Sequence, residues 1–174
     1  MESKQVRLQS RIGNDINEFR QQQKTLQLAS ITKDGLPHIS YSPFVYLSDC
    51  YYIFISDIAK HGQNLKINPQ VSIMMIEDEE QSKNIYARKR LTFDTEANLI
   101  ARDSQHWQTT ITTFEQQFGE IVSNLSKLSD FHLYQLVPKA GRFVKGFGQA
   151  FDISGADQVD VVHLDKGHTK QSNA

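Results

Sequence analysis

Leu8, Ile12, Ile16 and Phe19 recur at steps of four, four and three, the spacing of one apolar helix stripe, with Gln and Arg on the opposite side. The period then changes. Leu26, Leu28 and Ala29-Ser30-Ile31 suggest a strand, and Lys33-Asp34-Gly35 is a hairpin turn because Asp-Gly tolerates positive φ. The return strand from Leu36 to Tyr46 contains Pro37 and Pro43, which points to an edge or bulged strand. Ser48-Asp49-Cys50 turns the chain into Tyr51-Tyr52-Ile53-Phe54-Ile55, a third strand dense in β-formers. A short helix is expected from Ile58 to Asn68, with Ser56 or Asp57 as N-cap and Pro69 as the stop.

Val71 to Ile76 reads as a buried apolar strand, and Glu77-Asp78-Glu79-Glu80 as a solvated acidic loop rather than a metal site. Leu91, Phe93, Thr95, Ala97 and Leu99 alternate with polar residues, the pattern of a half-exposed antiparallel strand. Asp103 is expected to cap one long helix whose stripe is Trp107, Ile111, Phe114 and Phe118, extended by Ile121, Val122 and Leu125. That aromatic stripe is read as core. Phe131 to Val137 is a strand, Pro138-Lys139-Ala140-Gly141 a turn, and Arg142 to Phe151 the last long strand. Six or seven strands with short links and three helices favour a closed or nearly closed antiparallel barrel over a parallel α/β sheet. The chain ends in a polar tail without an apolar stripe, so the default expectation for it is disorder.

Composition narrows the function classes. With 39% apolar and 22% charged residues the chain has enough apolar material for a core. A net charge of −1 provides no field that would steer it to nucleic acid or an anionic membrane. There is no run of about 20 apolar residues and no apolar N-terminal segment after a basic region. Cys50 is the single cysteine, so neither an internal disulfide nor a zinc-type Cys/His spacing is possible. The expectation is a soluble, cytoplasmic protein. No P-loop, GxGxxG, nucleophile motif or catalytic carboxylate pair suggests another chemistry.

Several short stretches carry a resemblance when taken in order. They are Leu28-Ala29-Ser30, Asp34-Gly35-x-Pro37, Ser40-Tyr41-Ser42-Pro43-Phe44, Ser56-x-x-Ala59-x-His61-x-x-Asn64-Leu65, Asn68-Pro69-x-Val71-Ser72 and Arg90-Leu91-Thr92. Together they resemble the split β-barrel flavin-binding superfamily typified by pyridoxamine 5′-phosphate oxidase. Within it, Ala87-Arg88-Lys89-Arg90-Leu91-Thr92-Phe93, the Arg142-Phe143-Val144-x-Gly146-Phe147-Gly148-x-Ala150 strand and the closing Gly167-His168 resemble the HugZ/HutZ haem-utilisation family. The resemblance spans roughly residues 5 to 172. It implies a mainly β fold with flanking helices (α+β), an antiparallel six-stranded, FMN-binding-like split barrel that forms a homodimer. One domain is implied over 1–174, with an N-terminal helix at 1–21, a barrel with helical insertions at 25–152, and a tail at 153–174 that carries a haem-ligating histidine.

The resemblance also assigns candidate residues. His168 matches the family's haem-ligating histidine, and a neutral imidazole is a good ligand for haem iron. Gly167 beside it lets the tail approach the macrocycle closely. Without haem, the residues after about Leu164 are expected to be mobile. His163 lies among Val161, Val162 and Leu164 and reads as a packed residue. A ligating histidine needs its second ring nitrogen oriented, and Asp130 matches the family's carboxylate partner, expected from the opposite subunit. Such a bond gives the imidazole imidazolate character and would help O–O cleavage. Its alternative is a plain turn aspartate.

Arg88-Lys89-Arg90 is the densest positive charge in the chain. In flavin-binding members a basic pair and a hydroxyl near this strand hold a phosphate. Here the region would meet haem propionates or lie beside bound O2, with Arg90 as the haem-side residue; the alternative is an ion pair with residues 77–80. His61 is placed near the dimer interface and the site, its alternative being a structural helix histidine. The function implied is a haem-degrading oxygenase that uses haem, O2 and an external electron donor and yields a biliverdin-type product, CO and iron. Two alternatives stand beside it: a haem storage or transfer protein, and an FMN-dependent oxidoreductase like pyridoxamine-phosphate oxidase.

Overall fold

A computed structural model of the protein describes residues 4–154, so the expectations placed on His163, His168 and the rest of the tail lie outside the described residues. The described chain opens with α1 (Lys4–Gln21), followed by β1 (Thr25–Ile31), β2 (Pro37–Leu47) and β3 (Cys50–Ser56). Next come α2 (Lys60–Ile67), β4 (Gln70–Ile76) and β5 (Arg90–Ile100), then α3 (Gln105–Phe118), α4 (Glu120–Leu125), β6 (Phe131–Gly146) and β7 (Gln149–Ser154). The strands pair in the order β3-β2-β1-β4-β5-β6-β7, and an additional β3–β6 ladder closes the first six into a ring. Every ladder is antiparallel. The expected six-stranded barrel is therefore present, with β7 hairpinned onto the part of β6 that extends past the ring.

Inward alternation builds the core. Leu28, Ile53, Ile73, Leu91, Phe93, Leu136 and Phe143 are almost fully buried, and the α1 stripe Ile12, Ile16 and Phe19 packs against them. A second cluster lies on the outside of β3, where Tyr52 and Phe54 are covered by Trp107, Ile111 and Phe114 of α3 and Val122 of α4. This explains why β3 reads as apolar on both faces. Arg20 at the end of α1 is buried with its guanidinium 3.5 Å from the centroid of the Tyr46 ring, which fixes the helix to β2. No helix of the described residues is long and apolar enough to cross a membrane.

Several local expectations are corrected. The predicted turn at 138–141 is continuous strand: β6 runs through it, and the register shifts between Asp94 and Thr95 so that Lys139 has no partner across the ladder. A bulge of this kind accommodates Pro138, which has no N–H to give the ladder. The hairpin falls instead at Phe147-Gly148, where Gly148 has φ +65°. The single long helix is broken at Gly119, φ 79°, into α3 and α4, and Ile121 is consequently exposed. Ser104, not Asp103, caps α3 by accepting from the Trp107 amide. The N-cap of α2 is Ala59, without a side-chain bond; Ser56 and Asp57 are used elsewhere. β4 alternates, with Val71, Ile73 and Met75 inside while Ser72 is exposed and Met74 half-buried.

The proline-bearing strand behaves as its composition demands. Residues 37–43 of β2 pair only with β1, and residues 44–47 pair with β3. Pro37 and Pro43 thus sit where one side of the strand needs no ladder donor. The preceding turn closes as expected, with Gly35 at φ 78° and its amide donating to the Thr32 carbonyl at 2.9 Å.

Candidate functional site

Register places the polar chemistry on the outside of the barrel. Ile39, Ala29, Ser72, Asp94 and Ala140 face one another in a row across five strands, and Tyr41, Gln27, Met74, Thr92 and Arg142 form the next row. Between these rows and β7 lies a groove of about 610 Å³. Its floor is mixed: Ala29, Ile39, Met74 and Ile153 are apolar, while Ser72 donates to Asp94 at 2.7 Å and Arg142 pairs with Asp152 at 2.7 Å. Ile39 and Tyr41 on its edge are each 68% exposed. Both are large side chains left exposed on the barrel wall.

Arg90 is on this same outward face, two residues before Thr92 in β5. Among the described residues its guanidinium makes one hydrogen bond, from Nη1 to the Arg88 carbonyl at 3.1 Å, leaving most of its donors for a ligand. The ion pair considered for Arg90 is made by Arg88, which donates to Glu79 Oε1 at 3.2 Å and to the Glu77 carbonyl.

Asp130 lies elsewhere. Arg90 pairs with Val144 at one end of the β5–β6 ladder, whereas Asp130 immediately precedes β6 beyond the Ile100–Leu133 pair at the other. Ten residue steps separate these ends, roughly 30 Å of strand. One chain does not bring the two together.

Hydrogen bonds surround Asp130. Ser56 donates to Asp130 Oδ2 at 2.5 Å, and the Asp57 amide donates to the Asp130 carbonyl at 2.8 Å. Asp57 in turn accepts on Oδ2 from His132 Nε2 at 2.8 Å and from Lys66 Nζ at 2.5 Å. Burial works to raise the Asp57 pKa, and the hydrogen bonds and charges of Lys66 and His132 outweigh it, so the carboxyl is held below its usual value. Its Oδ1 is buried without a partner.

His61 is on α2, half-buried, with its pKa lowered first by burial and second by nearby His38. It is therefore neutral at pH 7. His38 Nδ1 and Ser40 Oγ are buried without partners at the same end of the barrel. Ser30, the register partner of His38, accepts from Asn64 of α2 at 2.9 Å. His106 bonds Tyr52 at 2.9 Å and so ties α3 to the barrel. His132 and Ser56 are the residues that sequence reasoning missed. The signal for them is the β3–β6 ladder, which sets Ser56 opposite Phe131 and Ile55 opposite His132 and is invisible in a linear pattern.

The arrangement offers a groove with a guanidinium beside it, a carboxylate with one oxygen committed, and a neutral imidazole. Within one chain the Arg90 guanidinium and the Asp130 carboxylate stand at opposite ends of the β5–β6 ladder and do not line a single pocket.

Comparison with known proteins agrees with this architecture. Residues 12–145 match the pyridoxamine 5′-phosphate oxidase family. The heme oxygenase HutZ of Vibrio cholerae serotype O1 is 55% identical over 170 residues, 98% of this chain and 97% of that protein. A solved structure of HutZ, described as the haem storage protein of Vibrio cholerae, is 52% identical with a TM-score of 0.70, covering 72% of this chain and 89% of that one. ChuZ of Campylobacter jejuni is 35% identical with a TM-score of 0.83, over 92% of this chain and 66% of that one.

Proposed function

Because the chain belongs to the pyridoxamine 5′-phosphate oxidase family, in its HutZ-like branch, we propose that it is a haem-degrading oxygenase. It opens haem with O2 and electrons from an external donor and releases iron, CO and a biliverdin-type product. The single observation that carries this reading is near-full-length identity of 55% to a protein named heme oxygenase. Haem, as substrate and activator, supplies the oxygen chemistry; the chain binds it, orients it and limits access of water.

We further assign His168 as the axial ligand, Asp130 as acceptor for its second ring N–H, and Arg90 as the cation for a haem carboxylate or a polar neighbour of O2. His61, neutral by burial, completes the haem side. The separation of Arg90 from Asp130 along the β5–β6 ladder supports a site shared between two subunits. The exposed Ile39 and Tyr41 beside the groove support a homodimer through this face of the barrel. The unit is read as one split-barrel domain of residues 1–174, with the chain beyond β7 carrying the ligand, and the location as cytoplasmic.

Storage is the second reading, favoured by the description of the solved HutZ structure as a haem storage protein. Reductant added in air to the haem complex separates the two: loss of the Soret band with release of iron supports turnover, and an unchanged spectrum supports storage. Flavin use is a third, favoured by the family description. Absorbance of the purified protein, flavin yellow or haem red, decides it.

A further inference from the structure

Ser56 stands at the last rung of the β3–β6 ladder, opposite Phe131, and the backbone holds it from two sides. Its carbonyl accepts from the Ala59 amide at 3.2 Å. The same carbonyl lies where a Cβ on Gly62 would be, so α2 packs its glycine directly against it. Its hydroxyl accepts from the Ile58 amide at 3.0 Å. A hydroxyl has one proton, and with a lone pair fixed by Ile58 that proton is directed to Asp130 Oδ2, 2.5 Å away. A second tie, from the Asp57 amide to the Asp130 carbonyl at 2.8 Å, fixes the backbone of the same aspartate. Asp130 is half-buried, and among the described residues its Oδ1 takes no hydrogen bond.

We propose that Ser56 is the positioning residue of the haem site: by engaging Oδ2 of Asp130 it turns the free Oδ1 toward the N–H of the ligating histidine. This rests on the reading of Asp130 as that histidine's acceptor. Ser56 touches neither haem nor iron. It acts through the carboxylate, and α2 acts through Ser56, so the α2 packing that Gly62 permits becomes part of the ligand geometry.

The test uses the full-length haem complex and reads the iron–histidine stretching band of the ferrous form by resonance Raman, beside the rate of haem loss under reductant. Asp130→Asn is expected to lower the band and slow turnover on the order of tenfold, as removal of an outer partner of a metal ligand does. Ser56→Ala is expected to move the band in the same direction by a smaller amount. Ser56→Thr, which keeps the hydroxyl, restores it, and Ser56→Ala on the Asp130→Asn background adds nothing. If Ser56→Ala does not fold, Ser56→Cys, of similar shape with a weak donor, takes its place with the same expected direction. A Ser56→Ala band that coincides with the parent while Asp130→Asn has moved overturns the role of Ser56 alone; so does an additive double variant. An Asp130→Asn band that stays in place overturns the reading of Asp130, and the positioning role falls with it.

Discussion

Arg90 and Asp130 stand at opposite ends of the β5–β6 ladder, Arg90 paired with Val144 and Asp130 just before Phe131. Residues so placed serve one haem only if different subunits supply them. Mixing Arg90→Ala chains with Asp130→Asn chains then regenerates intact sites. After random exchange half the dimers are mixed and half their sites carry both native residues, so about a quarter of the parent turnover is expected. Each variant alone stays low. A mixture no more active than its components contradicts a shared site.

Gly62 and Gly13 should answer the same substitution with opposite signs. A Cβ at Gly62 overlaps the Ser56 carbonyl, so Gly62→Ala is expected to cost about 1–3 kcal/mol through displacement of α2. Gly13, inside α1, has nothing within 4 Å of where a Cβ would stand, so Gly13→Ala is expected to stabilise by roughly 0.5–1 kcal/mol. Urea titrations of the two variants check both signs.

Leu91 and Leu99 share the alternation of β5, yet Leu91 is 0% exposed and Leu99 60%. Leu91→Ala is expected to cost about 2–5 kcal/mol because the closed core cannot collapse around the gap. Leu99→Ala is expected to lie within about 0.5 kcal/mol of the parent. Equal costs for the two would contradict the observed end of the barrel wall.

His61 is held below its ordinary value of 6.5 by burial, then by His38. The unfolded chain therefore takes up this proton first. The stability that the neutral imidazole confers is fully present above the unfolded value and is lost as pH falls through it toward the folded one. As pH falls from neutrality through 6.5 the parent should lose more stability than His61→Gln. Thermal melts across that window measure it, and parallel slopes for the two proteins would refute it.

Much of the barrel is legible in the chain because period-2 alternation and Asp34-Gly35 are local signals. What is not legible depends on partners distant in sequence. Pro138 reads as a turn until the bulge at Asp94 and Thr95 gives it a place without a donor. Gly119 inside a continuous aromatic stripe gives no local hint that the helix breaks, since a helix tolerates one glycine. Ser56 reads as a helix cap, and only the closure of β3 on β6 turns its hydroxyl to Asp130. Of the candidate site, Arg90 lies on β5, His61 on α2 and Asp130 just before β6, whereas His168 lies outside the described residues.

The most direct measurement is haem titration of the purified protein followed by reductant in air. A haem-degrading enzyme liganded by His168 gives a Soret band on titration, then loses it to a biliverdin-type product with CO and chelatable iron, while His168→Ala has an altered haem spectrum and does not turn over. A Soret band that persists under reductant and O2, with no iron released, would contradict the proposed activity, and an unaltered spectrum in His168→Ala would contradict the ligand.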